Sequence, residues 1–305
     1  MNDDNLKPLS FEDEDVLKPI SFDTSNNTPT DFVPLANANT NEIKNKDSNF
    51  VFFFGVSASG KSVILSAILY YLRSKAGVLR PKLSTPNTKE AQVLLADFFE
   101  NISKGILPNR TTRDKVTRMD FVFEPNNKSK KVPPIDLTFL ETAGGNHLDI
   151  SRGGSYHSSI DAYLNAKIPL NIIVVTSYDT AHRDDSLINE FFGELERRGN
   201  HLKSVNIILV VSKWDISGRS DVSNEEELEN FVQERLPMTN NLINSYEFSK
   251  TYFTIGNIEK TGGEEKITLL NLQPAEILSD WLYKSITGYS LDYEGTFWEK
   301  IKFSF

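Results

Sequence analysis

The sequence predicts an α/β fold in which helices cover both faces of a mostly parallel sheet. A run of five apolar residues, 50–54, has the length and the β-favouring composition of a fully buried strand. A glycine-rich turn at 55–62 follows this run, and residues 63–72 are apolar on nearly all sides, as expected for a helix packed against a sheet. Strands and helices then alternate along the chain, and this alternation indicates parallel strand pairing.

The glycine-rich turn, GVSASGKS, matches the phosphate-binding pattern G-x-x-x-x-G-K-[ST] at every fixed position. Gly55 and Gly60 let the backbone turn tightly and bring its N–H groups near phosphate oxygens. Lys61 supplies positive charge to the outer phosphates, Ser62 offers a hydroxyl to Mg²⁺, and the helix N-terminus faces the same anion. These features predict a nucleoside triphosphate site rather than an ordinary turn. The expected binding residues are Gly55, Ser57, Ala58, Ser59, Gly60, Lys61, Ser62 and Val63.

The remaining periodic segments complete the predicted sheet and its helices. Residues 75–117 form a long connection with a helical insertion, and residues 124–134 form a polar link suited to a hairpin. Strands are predicted at 118–123, 135–140, 170–176, 205–211 and 252–255. Helices are predicted at 88–104, 155–166, 184–198, 224–235 and 274–286.

Composition limits the classes of function that the chain can have. The net charge is −9, and residues 1–48 hold ten acidic and four basic side chains, which leaves a balance of −3 for the other 257 residues. This acidity argues against general nucleic-acid binding, which needs a basic surface. No apolar run is long enough for a transmembrane helix, so no stable membrane insertion is expected. The chain has no cysteine and no secretory signal, which agrees with a cytoplasmic location.

Residues 1–48 are too polar to bury a core, so we expect them to form a disordered acidic tail. Within this tail, LKPLSFE at 6–12 returns eleven residues later as LKPISFD at 17–23. Proline stiffens each copy and the apolar residues supply anchors, so the repeat is a candidate docking arm for a protein partner; low-complexity drift is the alternative. The domain itself is predicted to span 49–287. Residues 288–305 form an aromatic extension that either packs on the domain or binds a partner.

Over residues 49–287, the order of the motifs resembles the Ras-like, translation-factor-related class of P-loop GTPases. The resemblance implies binding of GTP and GDP with Mg²⁺, and a switch threonine that binds Mg²⁺ and senses the γ-phosphate. Thr111 and Thr112 lie in the matching interval after the first helix, with Thr111 slightly favoured, although both could be ordinary loop residues. Arg110 and Arg113 flank them, and either could reach the transition-state charge or stay solvated.

The resemblance also implies a second switch, which begins with D-x-x-G at a strand end in that family. Here the strand ends in Glu141-Thr142-Ala143-Gly144, so Glu141 would act on a Mg²⁺-bound water and the Gly144 amide would contact the γ-phosphate. Gly145 stands where efficient relatives often have Gln or His, and this predicts slow intrinsic hydrolysis. His147 is a candidate to orient the attacking water, unless it is simply exposed. The expected catalytic residues are Lys61, Thr111, Gly144 and His147, and the expected metal-associated residues are Ser62, Thr111 and Glu141.

In the same family, an N-K-x-D motif after a core strand selects the base. This chain has Ser212-Lys213-Trp214-Asp215 at that place. Asp215 would accept hydrogen bonds from N1 and N2 of guanine, which adenine does not offer, and Lys213 would lay its aliphatic stem over the base. Ser212 replaces the family's asparagine, which predicts a weaker brace between the base loop and the phosphate loop. A last base-contacting loop is expected near residues 255–257.

The expected function is a GTP-binding switch that hydrolyses GTP slowly to GDP and phosphate, with stimulation by a partner. In its GTP state it would bind a protein partner through the N-terminal repeat and the switch loops. The alternative is a nucleotide-binding structural or assembly subunit without hydrolysis, which Glu141 and Gly145 favour. An ATPase or kinase-like enzyme is a third hypothesis, which Lys213 and Asp215 disfavour.

Overall fold

The computed structural model describes residues 47–83, 88–108, 116–127, 129, 131–142, 158–166, 168–218, 225–261 and 264–294. None of the helices in these ranges is both long enough and apolar enough to cross a membrane. The strands are β1 (Asn49–Phe54), β2 (Gly77–Pro81), β3 (Val116–Pro125), β4 (Ile135–Thr142), β5 (Leu170–Ser177), β6 (Asn206–Ser212), β7 (Ser249–Tyr252), β8 (Gly256–Thr261) and β9 (Glu264–Leu270). The α-helices are α1 (Lys61–Tyr71), α2 (Thr88–Ser103), α3 (Ser158–Asn165), α4 (Ala181–Arg197), α5 (Glu225–Arg235), α6 (Pro237–Tyr246) and α7 (Gln273–Thr287).

Seven of the described strands form one sheet, in the order β2-β3-β4-β1-β5-β6-β7. β1 pairs in parallel with β4 and β5, and β6 and β7 continue the parallel part. β3 runs antiparallel to both β2 and β4 at one edge. The predicted α/β fold with a mostly parallel sheet is therefore confirmed, and so is the hairpin link between the strands now labelled β3 and β4.

The apolar run of β1 is explained by burial on both faces of the sheet. Val51 and Phe53 pack in one core with α1, α2 and α7. Phe50, Phe52 and Phe54 point the other way and pack in a second core with α3, α4, α5 and α6. Because helices cover both faces, every side chain of β1 after Asn49 is apolar and no polar alternation remains.

The last strand of the sheet was predicted at the wrong place. The prediction put it at 252–255, whereas β7 spans Ser249–Tyr252. Its pairing with β6 ends where Val211 faces Tyr252, and Phe253 and Ile255 continue as buried irregular chain. Apolar character alone therefore gave the wrong strand bounds, because Phe253 and Ile255 are buried without belonging to the strand.

The sequence analysis missed β2, α6 and the pair β8 and β9. For α6 the reason is a cap from a distant helix. The buried carboxylate of Asp185 in α4 accepts hydrogen bonds from the backbone N–H groups of Met238 (3.0 Å) and Thr239 (2.9 Å). This contact stabilises the start of α6 across more than fifty residues, so no local cap marks it in the sequence.

The first part of the aromatic extension packs on the domain. Leu291 is buried, and the Asn127 side-chain amide donates to the carbonyl oxygens of Leu291 (2.8 Å) and Tyr293 (3.0 Å). The Lys131 ammonium lies 5.4 Å from the ring centroid of Tyr289 and 5.5 Å from that of Tyr293. Residues 295–305 lie outside the described part of the chain, as do residues 1–46 with their repeat.

Candidate functional site

The two fixed glycines of the loop between β1 and α1 meet strict steric limits. Gly55 has φ +150°, and a Cβ atom there would lie 2.2 Å from the carbonyl oxygen of Val175 in the adjacent strand β5. Gly60 has φ +92°, and its Cβ would lie 3.2 Å from the Ser212 hydroxyl oxygen. The loop therefore requires glycine at both positions, the first for close approach to β5 and the second for its left-handed backbone.

Lys61 is the first residue of α1, and its side chain folds back over the loop. The ammonium donates to the carbonyl oxygens of Gly55 (2.6 Å) and Val56 (2.8 Å), and only 6% of the residue is exposed. Burial lowers the pKa of Lys61 to about 8, although the carboxylates of Glu141 and Asp184 act in the opposite direction. A buried cation of this kind gains from a further anion, and a bound phosphate would supply one.

Ser62 and Glu141, two predicted metal-associated residues, are in direct contact. The Ser62 hydroxyl donates to Oε1 of Glu141 at 2.5 Å, and Glu141 is buried at the end of β4. Hydroxyl and carboxylate oxygens suit Mg²⁺, which usually takes one or two protein ligands and completes its shell with water and phosphate oxygens. The described residues hold no group of three or more acidic, histidine or cysteine side chains that could bind a metal by themselves. Mg²⁺ would thus need the nucleotide's phosphates as well.

The Ser59 hydroxyl is a buried polar group without a hydrogen-bond partner among the described residues. Ser59 is 1% exposed and lies in the loop itself, next to Gly60. Leaving such a group unpaired costs about 1–3 kcal/mol, so native structures usually provide a partner. A phosphate oxygen in the loop would accept this hydroxyl, which is evidence from the structure that the loop fits an anion.

Ser212, at the end of β6, still links the base loop to the phosphate loop. Its hydroxyl donates a 2.6 Å hydrogen bond to the carbonyl oxygen of Ser59. Both side chains are buried, so water competes little with this bond. Serine therefore keeps a hydrogen bond between the two loops, and a weakening relative to asparagine stays a prediction.

Trp214 anchors the short turn that carries the predicted base-binding residues. Its ring is buried at 5.5 Å from Tyr178, 5.4 Å from Phe231 and 5.6 Å from Tyr252, measured between ring centroids. Its backbone N–H also donates to the carbonyl oxygen of Phe253 at 3.2 Å. With the tryptophan held inside, the neighbouring side chains are left at the surface of the site.

Asp215 follows Trp214 and is exposed toward a cavity. The Thr254 hydroxyl donates to Oδ1 of Asp215 at 3.3 Å, and the Gly256 N–H donates to the same hydroxyl at 3.2 Å. Lys213 has a left-handed backbone (φ 54°), and its ammonium lies 3.4 Å from Oδ1 of Asp179. The carboxylate is thus oriented by the chain just after β7, and the lysine is held beside it.

One cavity of about 640 Å³ brings the two halves of the predicted site together. This volume is within the usual range for a small-molecule site. Gly55 and Glu141 do not line the cavity themselves. Gly55 accepts a hydrogen bond from Lys61 and Glu141 accepts one from Ser62, and both of these donors line the cavity. From the predicted residues, the lining includes Ser57, Ala58, Ser59, Gly60, Lys61, Ser62, Val63, Lys213 and Asp215, together with Ile255 from the expected last base loop.

Several predicted site residues lie outside the described part of the chain. They are Thr111, Thr112, Arg110, Arg113, Gly144, Gly145 and His147. Pro108 and Thr142, which precede these two segments in the sequence, both line the cavity. The predicted roles in metal binding and water activation therefore stay predictions.

The structure adds residues that the sequence analysis did not single out. Asp184 is buried and accepts hydrogen bonds from the hydroxyls of Thr176 (2.7 Å) and Thr180 (3.2 Å). Burial raises its pKa, and these two hydrogen bonds oppose that rise. In the sequence it resembles any acidic residue in a first helical turn. Ile258, Lys260 and Glu265 also line the cavity, and the Gly262-Gly263 pair between their segments was an available hairpin signal.

Comparisons with known proteins give a limited result. No protein-family model matches the chain, and no curated protein matches it. Among solved structures, the signal recognition particle receptor SRb-GTP/SRX complex from Chaetomium thermophilum is 13% identical, with a TM-score of 0.40 over 71% of this chain and 94% of that chain. Roco2 RocCORdC of Methanosarcina barkeri bound to GDP is 14% identical, with a TM-score of 0.37 over 84% of this chain and 55% of that chain. Likeness at this level does not establish a shared function.

Proposed function

We propose that this protein is a GTP-binding switch of the Ras-like, translation-factor-related class, with slow, partner-stimulated hydrolysis of GTP to GDP and phosphate. The observation that carries the proposal is that the phosphate loop and Asp215 line the same cavity. A phosphate-binding motif and a carboxylate suited to guanine in the lining of one cavity suit a nucleotide that contacts both.

Selection of guanine rests on the carboxylate of Asp215. Guanine presents the N1–H and N2–H₂ donors side by side, and a carboxylate can accept both. Adenine presents no such pair of donors, so its binding would leave the carboxylate unmatched. Thr254 donates to one oxygen of Asp215 and leaves acceptor capacity for a base.

The phosphate end is served by Lys61, the loop amides and the start of α1. Lys61 would turn its ammonium from loop carbonyls to the outer phosphates, a gain because a charged acceptor makes a stronger hydrogen bond. Bound Mg²⁺ supplies positive charge to the same oxygens, and Ser62 with Thr111 would hold it. Ser62 can offer an oxygen lone pair to the metal while its hydroxyl proton still donates the hydrogen bond to Glu141, so the present contact is compatible with this role.

Hydrolysis would use a water in line with the γ-phosphate, and the chain's own residues would orient it poorly. Gly145 has no side chain for this task, which makes His147 the candidate and slow turnover the expectation. Arg110 or Arg113, or a group from the partner, would stabilise the transition-state charge. The γ-phosphate would order the segments around Thr111 and Gly144, and the partner would bind the ordered form.

A second candidate function is a nucleotide-binding structural or assembly subunit that does not hydrolyse GTP. The contact between Ser62 and Glu141 favours it, because a glutamate fixed on this serine is less available to orient a water. Both candidates share the same binding site and differ only in turnover.

Nucleotide extracted from the purified full chain, followed by calorimetric titration with GDP, GTP and ATP, tests the shared part. We expect bound guanine nucleotide and at least tenfold weaker binding of ATP, with Lys61→Ala as the control that removes phosphate binding. Tighter binding of ATP would overturn the guanine assignment.

Single-turnover phosphate release then separates the two candidate functions. If no phosphate is released with any binding partner, the structural or assembly role is the one that stands. Loss of residues 1–48 without loss of partner binding would overturn the docking arm.

A further inference from the structure

Strands β8 and β9 form a separate antiparallel hairpin between β7 and α7. They are outside the seven-stranded sheet, and the register shifts once, at Asn257 and Ile258. The contacts of this hairpin with the rest of the domain show where it is fixed.

The hairpin is fixed first at its base, which begins two residues after Thr254, the residue that donates a hydrogen bond to Asp215. Gly256 has φ +124°, and a Cβ atom there would lie 1.8 Å from the carbonyl oxygen of Leu269. The N–H of Asn271 donates to the carbonyl oxygen of Ile255 at 2.9 Å. The two ends of the hairpin are therefore held tightly beside the Thr254 hydroxyl that contacts Asp215.

The hairpin is fixed a second time, along its side, to the chain after α2. The N–H of Ile267 donates to the carbonyl oxygen of Gly105 at 2.7 Å, and Ile106 bridges to Lys266. Gly105 has φ +69°, and its Cβ would lie 2.5 Å from the Ile267 carbonyl oxygen. This contact places Leu107, two residues after Gly105, in the cavity wall next to the hairpin.

The face of the hairpin toward the cavity has an apolar centre and a charged rim. Ile258 lines the cavity and is 37% exposed. Lys260 and Glu265 line it as an ion pair, with 2.9 Å between the ammonium and Oε1. Leu107, Pro108 and Ile216 are further apolar residues of the lining.

We propose that hairpin β8–β9 is a nucleoside-binding wall, with Ile258 packing against the nucleoside of the bound nucleotide. The phosphates have their ligands at the loop, so the apolar residues that share the cavity with Asp215 suit the planar base and the sugar. The hairpin also begins at Gly256, whose N–H donates to the Thr254 hydroxyl that contacts Asp215. This inference rests on the proposed function, since it needs a nucleotide whose phosphates lie on the loop.

The test compares two single variants of the full chain, in which either an isoleucine or a leucine of the hairpin is replaced by alanine. Ile258→Ala removes the side chain that lines the cavity, and Leu269→Ala is the matched control, because Leu269 is 64% exposed on the same hairpin and is absent from the cavity lining. Calorimetric titration uses GDP and inorganic tripolyphosphate, which has the phosphate chain but no nucleoside. Melting temperatures of both variants close to that of the wild type show that neither has unfolded.

We expect Ile258→Ala to bind GDP about tenfold more weakly and tripolyphosphate as the wild type does, since three side-chain carbon atoms would no longer contact the nucleoside. Leu269→Ala should bind both ligands as the wild type does. If Ile258→Ala binds GDP with wild-type affinity, or if both variants lose equally, the wall is overturned while the GTP site stands. If the wild type binds neither ligand, the proposed function fails and the wall fails with it.

Discussion

The Ser212 hydroxyl donates a 2.6 Å hydrogen bond to the carbonyl oxygen of Ser59, and this bond joins the base loop to the phosphate loop. The two residues are 153 positions apart in the sequence, and both are buried. A nucleotide that extends between these loops depends on their separation. Under the proposed function we therefore expect the bond to affect nucleotide binding as well as stability.

Replacement of Ser212 by alanine should lower both stability and affinity. We expect the free energy of unfolding to fall by about 1–2 kcal/mol, because a buried hydrogen bond is lost. Urea unfolding of the variant and the wild type measures this difference. We expect GDP to bind about threefold to tenfold more weakly in calorimetry, because the loops lose their link. Ser245→Ala is the control, since it removes an exposed hydrogen bond to Asn241 within α6 and should change neither quantity. Equal effects from both variants would contradict a special role for the brace.

The pH dependence of stability should reveal the buried ammonium of Lys61. Its pKa is about 8 in the folded protein and 10.5 as the ordinary value, so the unfolded chain binds the proton more tightly. The cost of burying the charge is therefore fully present below pH 8 and is relieved as the pH rises from 8 toward 10.5.

We expect the wild type to gain about 2 kcal/mol in free energy of unfolding relative to Lys61→Met between pH 8 and pH 9.5. Urea unfolding of both proteins at several pH values measures this difference, and the comparison removes other groups that titrate in the same range. A difference that does not change with pH would mean that Lys61 keeps its ordinary pKa.

Replacement of Asp215 by asparagine should change the preferred base from guanine to xanthine. Xanthine has a carbonyl oxygen at C2 where guanine has an amino group, and the asparagine amide can donate to it. We expect GDP to bind about 100-fold more weakly and xanthosine diphosphate to bind more tightly than GDP. Asp179→Asn is the matched control, because Asp179 pairs with Lys213 but is absent from the cavity lining. Unchanged GDP affinity in Asp215→Asn would remove Asp215 from the base site.

Replacement of Glu141 by glutamine should weaken the effect of Mg²⁺ on nucleotide binding. Glutamine can still accept the Ser62 hydrogen bond, but it carries no negative charge near the metal. We expect the ratio of GDP affinities with Mg²⁺ and with a chelator to fall about tenfold, while the affinity without metal changes little. Calorimetry under both conditions measures the ratio. If the affinity without metal falls instead, Glu141 acts by holding the loop rather than the ion.

The predictions that succeeded depend on short stretches of sequence. The loop residues from Gly55 to Ser62 and the helix after them lie within one turn and one helix, so their spacing alone predicts both elements, whereas phosphate binding there stays a prediction. The buried strands β1, β5 and β6 were also predictable, because burial on both faces demands a continuous apolar run.

The predictions that failed depend on contacts between distant residues. The start of α6 is set by Asp185 from α4, and the end of β7 is set by its register on β6. Neither contact leaves a local pattern. Hairpin β8–β9 was the exception, because the Gly-Gly pair in the sequence between its two strands is a hairpin signal.

The sequence by itself determined that the chain has a phosphate-binding motif and an α/β order of strands and helices, since both arise from local steric and periodic rules. Only the tertiary structure decided that Asp215 shares a cavity with that motif, that Ser212 hydrogen-bonds to Ser59, and that Ile258 lines the same cavity. These relationships join residues up to about 200 positions apart. Packing of the two cores creates them, and local sequence carries no record of that packing.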